Sequence, residues 1–212
     1  MNSHQNLGQY IEKYSSEEIP ILKKIYRETN IRMLNPRMVT GHIQGLFLTF
    51  ISRILKPSLI LEIGTYTGYS AICLALGLAP KGKLHTIEIN DEISEIAKSY
   101  FNEAGLSNKI IQHIGDARII IPQLNLKFDL IYIDGEKREY PDYYKISMKY
   151  LINGGYLLAD NVLWDGKVLN SPVNSDIATK AIQKFNKLVH DDIHCKNFLL
   201  PLRDGIMVLR KE

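Results

Sequence analysis

From residue 59 onward, short apolar runs alternate with longer amphipathic stretches. The runs predict buried strands near residues 59–63, 83–88, 109–113, 128–133, 154–159, 193–199 and 205–210. The intervening stretches predict helices over residues 68–78, 91–104, 139–149 and 175–190. This alternation is typical of an α/β fold, with a mostly parallel sheet covered by helices on both faces. The turn at Arg203-Asp204-Gly205 predicts that the last two strands form an antiparallel hairpin at one edge.

The first 55 residues have a helical pattern and no strand partner. Ser15-Ser16-Glu17-Glu18 resembles a helix N-cap followed by acidic first-turn residues. Asn35-Pro36 predicts a break, and residues 39–55 predict the next helix. Its apolar positions are Ile43, Leu46, Phe47, Phe50, Ile51 and Ile54. We therefore expect one domain over residues 1–212, in which residues 1–55 form a helical extension that caps a site or builds a dimer contact.

Composition excludes several classes of protein. The chain has 212 residues, 45% hydrophobic and 23% charged, which suits one domain with a single core. A net charge of +3 without a long basic run gives no electrostatic argument for nucleic acid. Cys73 and Cys195 are expected to be reduced core thiols rather than a disulfide. We see neither an apolar signal-peptide core nor a stretch close to the roughly 20 apolar residues of a membrane helix, and we expect a cytoplasmic location.

A glycine turn follows the first predicted strand, in the pattern Glu62-x-Gly64-x-x-x-Gly68. It differs from the dinucleotide fingerprint, because tyrosines hold the third and sixth positions. Glu88 closes the second predicted strand, where an acidic residue suits the hydroxyls of a ribose. Glu62 beneath the turn would repel a diphosphate and attract a cation. S-adenosylmethionine meets these demands, since it has a ribose, an ammonium and a sulfonium but no phosphate. The alternative is an ordinary tight βα turn with a surface glutamate.

Oxygen-bearing side chains end two further strands. Asp134 follows the strand at 128–133, and Asp160-Asn161 follows the strand at 154–159. Open α/β sheets bind ligands beyond the carboxyl ends of their strands, so we expect these residues near the glycine turn. Carboxylate and amide oxygens favour Mg²⁺, Mn²⁺ or Ca²⁺ over zinc, and three of them leave positions for substrate oxygens. Alternatively, Asp160-Asn161 is only a turn and Asp134 a helix cap.

These residues lie in segments that resemble the cation-dependent O-methyltransferases of the caffeoyl-CoA and catechol O-methyltransferase type. The resembling segments are residues 61–70, 129–134, 160–166 and 200–205. The similarity runs from about Met38 to the C-terminus. The stretch Asp160-Asn161-Val162-Leu163-Trp164-Asp165-Gly166 is the most specific part of it.

The resemblance implies a seven-stranded Rossmann-like sheet, S-adenosylmethionine as methyl donor, and a homodimer. It assigns Asp134, Asp160 and Asn161 to a divalent cation, with Mg²⁺ preferred and Mn²⁺ or Ca²⁺ as alternatives. The residues it assigns to the donor are Glu62, Gly64, Gly68, Ser70, Glu88, Ala117, Asp134 and Glu136. Family members usually carry aspartate at the positions of Glu88 and Glu136. Lys137 falls where the family places a lysine at the reacting hydroxyl, so we expect it to be catalytic; the alternative is a solvated surface lysine.

We expect methylation of a small vicinal dihydroxy aromatic and no association with a membrane. One alternative acceptor is a hydroxylated nucleoside of tRNA, namely 5-hydroxyuridine. A second alternative is a nicotinamide-dependent oxidoreductase, against which the missing middle glycine argues. A third is a non-catalytic binding protein, against which the intact set of Asp134, Asp160 and Asn161 argues.

Overall fold

A computed structural model describes residues 3–212 of the chain, with side chains from residue 7 onward. Its strands are β1 (Leu59–Ile63), β2 (Lys83–Glu88), β3 (Ile110–Ile114), β4 (Phe128–Ile133), β5 (Leu151–Ala159), β6 (Cys195–Leu200) and β7 (Ile206–Lys211). They form one sheet in the order β3-β2-β1-β4-β5-β7-β6. The first five strands are parallel, and β7 runs antiparallel to β5 and β6. The predicted fold class is confirmed.

Helices cover both faces of this sheet. They are α1 (Ser3–Lys13), α2 (Pro20–Arg32), α3 (His42–Leu55), α4 (Tyr69–Ala75), α5 (Ser94–Glu103), α6 (Ala117–Leu124), α7 (Tyr140–Tyr150) and α8 (Ile177–Asp191). Side chains alternate along each strand, so β1 sends Ile60 to one layer and Leu61 and Ile63 to the other. The first layer packs under α2 to α5 and the second under α6 to α8. Because β1, β2, β4 and β5 run parallel, their carboxyl ends meet at one edge of the sheet.

The N-terminal helices begin elsewhere than predicted. The first of them, α1, precedes the proposed cap, and α2 begins at Pro20 with Ile19 as its N-cap. Proline suits this start, because its missing N–H would have no partner in the first turn. Ser15 instead donates a hydrogen bond from Oγ to the carbonyl of Ile11, 2.7 Å away, at the end of α1.

Helix α3 presents a different face to the core than its apolar positions indicate. The buried residues of α3 are Gln44, Gly45, Leu48, Thr49 and Ser52. Two hydroxyls on this face donate to carbonyls of α4, Thr49 Oγ1 to Cys73 at 3.2 Å and Ser52 Oγ to Leu74 at 2.6 Å. By contrast, Phe50 is 55% exposed and Ile54 72% exposed. The buried face of α3 thus combines Leu48 with small and polar groups, and an apolar strip is left outside.

The expectation that no stretch approaches a membrane helix is wrong, because one segment has the length and the apolar composition of such a helix. Residues Pro36–Leu55 form this 20-residue segment, with a mean hydropathy of 1.2. The segment consists of the 3₁₀ turn Pro36–Met38, the connecting residues 39–41 and α3. Because α3 packs its small and polar face on α4, we interpret it as a core helix of the domain.

Two elements differ from the sequence prediction in the second half of the chain. Helix α6 was not predicted, because its three isoleucines favour a strand and Pro122 favours a break. Strand β5 begins at Leu151, three residues before its predicted start at residue 154. An irregularity in its register against β4 accommodates the glycines at 154 and 155. Cys73 and Cys195 are both buried and free, as expected.

Candidate active site

A cavity of about 780 Å³ lies at the carboxyl ends of β1, β2, β4 and β5. This is the edge at which open α/β sheets bind their ligands. Most of the site residues predicted from the sequence line it, namely Gly64, Ser70, Glu88, Ala117, Asp134, Glu136, Lys137, Asp160 and Asn161. Residues 32–35 and 37–40 and Arg203 also line the cavity.

The two glycines of the turn have different surroundings. Gly64 has φ +99°, and a Cβ there would collide with the backbone carbonyl of Asp134. It therefore allows the ends of β1 and β4 to approach each other. Gly68 has φ +83°, and its missing Cβ makes room for the ring of Phe101 on α5. Gly68 lies behind the cavity wall, so its contribution is to pack α5 against the turn.

Glu88 holds the glycine turn in place through one of its carboxylate oxygens. Its Oε2 accepts hydrogen bonds from the backbone N–H groups of Thr65 at 3.2 Å and Tyr66 at 2.8 Å. Its Oε1 accepts a third from the N–H of Asn90 at 2.9 Å. A carboxylate with three backbone donors is fixed in position, and Oε1, which accepts only one of the three hydrogen bonds, retains a lone pair for a ligand hydroxyl.

Glu62 lies beneath the cavity rather than in its wall. Its side chain is fully buried, and Thr86 donates a 2.6 Å hydrogen bond to Oε2. Burial raises the pKa of Glu62 to about 8, and the hydroxyls of Ser70 and Thr86 oppose this shift. The other oxygen, Oε1, has no hydrogen-bond partner among the described residues. A buried acceptor without a partner suits a protonated carboxyl or a nearby cation.

The remaining donor-site candidates lie around the rim. Ala117 begins α6, and Ser70 lies in the first turn of α4. Glu136 is half exposed and forms an ion pair with Arg138 at 3.0 Å, which lowers the pKa of Glu136. The cavity lining thus offers the carboxylates of Glu88 and Glu136 and the hydroxyl-bearing residue Ser70. This arrangement fits a ligand with hydroxyls and a positive charge, such as S-adenosylmethionine.

Lys137 is held against Asp134 at the end of β4. Its Nζ donates to Asp134 Oδ1 at 2.8 Å and to the hydroxyl of Tyr140 at 2.8 Å. The Tyr140 hydroxyl donates in turn to the carbonyl of Asp160 at 2.9 Å. The side chain of Lys137 is only 13% exposed. This contradicts the alternative of a solvated surface lysine.

Asp160 is held from two other elements. Gln44 on α3 donates from Nε2 to Asp160 Oδ2 at 2.6 Å, and the hydroxyl of Tyr132 donates to the same oxygen at 3.2 Å. The backbone N–H of Asn161 donates to Oδ1 at 2.7 Å. Burial raises the pKa of Asp134, and the negative charge of nearby Asp160 raises it further. The positive charge of Lys137 opposes this shift.

These residues suit a hard divalent cation. Asp134, Asp160 and Asn161 bring two carboxylates and one amide to the same wall of the cavity. Across residues 3–212 no group of three or more His, Cys, Asp or Glu could hold a metal, so the set depends on the amide oxygen of Asn161. Two neighbouring carboxylates repel each other unless a cation lies between them. All-oxygen donors suit Mg²⁺, Mn²⁺ or Ca²⁺.

Backbone strain concentrates around this cavity. Seven non-glycine residues have positive φ in the described part of the chain, and Lys56 and Asn125 are ordinary left-handed helix ends. Of the other five, four line the cavity, namely Tyr66, Asn161, Trp164 and Arg203. Each such residue costs on the order of 1–2 kcal/mol. Strain of this kind clusters at functional sites.

The sequence did not predict the roles of Gln44 and Tyr140. Gln44 is 1% exposed, and a polar residue within an apolar helix was the available signal. Tyr140 is fully buried and follows Lys137 by three residues, one helical turn away. Both residues position candidate metal ligands. Gln44 contacts Asp160 directly, and Tyr140 acts on Asp134 through Lys137.

Comparison with known proteins gives the class. The O-methyltransferase family matches residues 12–212. A protein of Dictyostelium discoideum named "Probable caffeoyl-CoA O-methyltransferase 2" is 27% identical over 207 residues, which cover 95% of this chain and 90% of that protein. The catechol O-methyltransferase of Niastella koreensis is 33% identical over 150 residues, which cover 69% of this chain and 67% of that protein.

A solved structure agrees with these relatives. The O-methyltransferase TomG of Streptomyces achromogenes, in complex with S-adenosylmethionine, superposes with a TM-score of 0.92 at 27% identity. The match covers 100% of this chain and 99% of that one. Fold and site define an S-adenosylmethionine-dependent O-methyltransferase. The chain belongs to the O-methyltransferase family that includes the caffeoyl-CoA and catechol enzymes.

Proposed function

We propose that this O-methyltransferase methylates one hydroxyl of a small vicinal dihydroxy aromatic, and that it requires a divalent cation. The observation that carries the proposal is the convergence of Asp134, Asp160 and Asn161 with Lys137 on one cavity wall. The donor side, with Gly64 and Glu88, lies in the same cavity. The catechol and caffeoyl-CoA names of the relatives support the same acceptor chemistry.

Asp134, Asp160 and Asn161 would hold the cation, Mg²⁺ in preference to Mn²⁺ or Ca²⁺. When bound, such a cation stabilises the negative charge that develops on a hydroxyl oxygen. The protein's own contribution is to hold these ligands still. Gln44 and Tyr132 fix Asp160, and Lys137 fixes Asp134.

We assign to Lys137 the removal of the proton from the acceptor hydroxyl. In its protonated form it has three N–H donors, of which Asp134 and Tyr140 take two. One N–H thus remains for an oxygen in the cavity. In its neutral form the same nitrogen can accept the proton that the hydroxyl must lose on methylation. We attribute the remaining rate enhancement to the orientation of the acceptor oxygen toward the donor methyl group.

The test is methyl transfer from labelled S-adenosylmethionine to 3,4-dihydroxybenzoate and, in parallel, to unmodified tRNA. Each reaction runs with Mg²⁺ and with EDTA. The proposal expects transfer to the dihydroxybenzoate that EDTA abolishes while binding of the donor persists in calorimetry. Cation-independent transfer would contradict the metal assignment. Transfer to tRNA alone would move the function to 5-hydroxyuridine, and affinity for tRNA would then fall steeply with salt.

We further propose a homodimer in the cytoplasm. The apolar strip on α3, with Phe50 and Ile54 largely exposed, supports association through the N-terminal extension. The two free buried cysteines, Cys73 and Cys195, support a reducing compartment. Analytical ultracentrifugation of the wild type and of Phe50→Ser/Ile54→Ser tests the dimer. A wild type that sediments as a monomer, or a variant that remains dimeric, would contradict this interface.

A further inference from the structure

Arg203 lies in the turn between β6 and β7, at the acceptor end of the cavity. Its backbone is left-handed, with φ +51°, a conformation that strains any side chain other than glycine. The turn is fastened to the segment that follows Asp160-Asn161. There the N–H of Val162 donates to the carbonyl of Gly205 at 3.1 Å, and that of Leu163 donates to the carbonyl of Asp204 at 2.9 Å. The protein thus holds an arginine, under strain, in a fixed position beside the candidate metal ligands.

The guanidinium of Arg203 has unused donors. Its Nη1 donates to the carbonyl of Val39 at 3.2 Å, with Gln44 Oε1 at 3.5 Å. No carboxylate among the described residues lies within ion-pair distance of Arg203 or of Arg37, which lines the same cavity. The ion-paired arginines of the described chain are Arg32, Arg118, Arg138 and Arg210.

We propose that Arg203 binds a carboxylate on the methyl acceptor, which makes the preferred substrate an anionic dihydroxy aromatic. This inference rests on the proposed function. A guanidinium offers a fork of parallel N–H donors that matches the two oxygens of a carboxylate. The neighbouring Met38 and Trp164 line the cavity with apolar surface suited to an aromatic ring.

Charge balance favours the same assignment. The proposed cation offsets the charges of Asp134 and Asp160 at the hydroxyl end of the acceptor, and Arg203 supplies the opposite charge for a carboxylate at the other end. Arg203 is separated from Asp160 by a single side chain, because the amide of Gln44 contacts both. The hydroxyl end and the carboxylate end of one ring are thus assigned to adjacent parts of the same wall. Arg203 is a specificity residue in this arrangement, and Lys137 remains the catalytic one.

The experiment compares two acceptors of similar shape, 3,4-dihydroxybenzoate and neutral 4-methylcatechol, in Arg203→Gln and the wild type. We expect Arg203→Gln to raise KM for the benzoate about 10- to 100-fold, the value of a charge-assisted hydrogen bond, with little change in kcat. KM for 4-methylcatechol should stay near the wild-type value. Arg203→Lys should restore part of the difference. Arg53→Gln is the control, since Arg53 is exposed on α3 and outside the cavity wall.

A binding measurement separates this inference from the proposed function. Calorimetry with S-adenosylhomocysteine and Mg²⁺ present gives the affinity for each acceptor without turnover. Arg203→Gly, which suits the left-handed backbone, guards against a folding defect in the glutamine variant. Equal loss of both acceptors in Arg203→Gln, or no loss of the benzoate, overturns the carboxylate site. Failure of the wild type to methylate either acceptor contradicts the proposed function, and the binding data still decide the role of Arg203.

Discussion

The side-chain amide of Gln44 on α3 donates a 2.6 Å hydrogen bond to Oδ2 of Asp160, at the end of β5. The two residues are 116 positions apart in the chain. Through this contact the N-terminal helical extension takes part in positioning a candidate metal ligand. The same amide approaches Arg203 through Oε1, so one side chain joins three parts of the site.

Gln44→Leu should therefore weaken both the fold and the metal site. It removes one of the two side-chain donors to a buried carboxylate oxygen, which costs about 1–3 kcal/mol in the free energy of unfolding. Urea denaturation and Mn²⁺ titration measure the two effects. Gln123→Leu, on the exposed surface of α6, is the matched control. Unchanged Mn²⁺ affinity in a folded Gln44→Leu variant would show that Gln44 does not position the ligand.

The fold was predictable because its signals are local. Each buried strand is a largely apolar run of five to nine residues that can be recognised locally, and the alternation of strands with helices indicates a mostly parallel sheet. Helix α6 and the start of β5 were missed where Pro122 and Gly154-Gly155 contradict the pattern that packing imposes. The inward face of α3 was missed for a related reason, since polar contacts with α4 bury it.

The site was predictable only in part. Gly64, Glu88, Asp134 and Asp160 adjoin strand ends, so a sheet model places them at one edge. The contributions of Gln44, Tyr140 and Arg203 depend on contacts made by elements far apart in sequence or on a particular rotamer. No local pattern carries such information, and the structure supplies it.

Gly64→Ala should be severely destabilising. The alanine would have a left-handed backbone and a Cβ against the carbonyl of Asp134, which costs roughly 2–5 kcal/mol in total. Gly105→Ala is the matched control, because Gly105 has φ +68° and open space around its Cβ position. That control should cost only about 1 kcal/mol. Equal melting temperatures for the two variants would disprove the role given to the close approach at Gly64.

Asp160→Asn should remove cation binding while donor binding persists. The substitution retains the size of the side chain and eliminates one of the two negative charges. We expect Mn²⁺ affinity, measured by water-proton relaxation, to fall at least about tenfold. Calorimetric affinity for S-adenosylmethionine should not change. Asp142→Asn, at an exposed ion pair on α7, is the control. A wild-type Mn²⁺ affinity in Asp160→Asn is the result that would exclude Asp160 as a ligand.

Lys137→Ala should lower kcat with 3,4-dihydroxybenzoate about 100-fold or more, the usual contribution of a general base. KM for the donor should be little affected, because Lys137 contacts Asp134 and Tyr140 rather than the glycine turn. Steady-state kinetics with saturating Mg²⁺ provide the measurement. Lys145→Ala, an exposed lysine on the next helix, should behave as the wild type. Near-full turnover by Lys137→Ala would remove the catalytic assignment.

The His85–His113 pair on β2 and β3 should make the fold sensitive to acid. His85 Nδ1 and His113 Nε2 are 3.0 Å apart, and a hydrogen bond between them requires that one nitrogen be unprotonated. Burial lowers the pKa of His85 to about 4, with smaller contributions from the charges of His113 and Lys83. Burial also lowers the pKa of His113.

Because the folded pKa lies below the unfolded one, the unfolded chain binds more protons as the pH falls. Stability is therefore fully present above about pH 6.5 and is lost toward pH 4. We expect a loss of about 1–2 kcal/mol between pH 7 and pH 5. Urea denaturation at both pH values should show this loss in the wild type and in His190→Asn, whose histidine is exposed on α8. It should be smaller in His85→Asn, and an equal loss there would place the acid sensitivity in other groups.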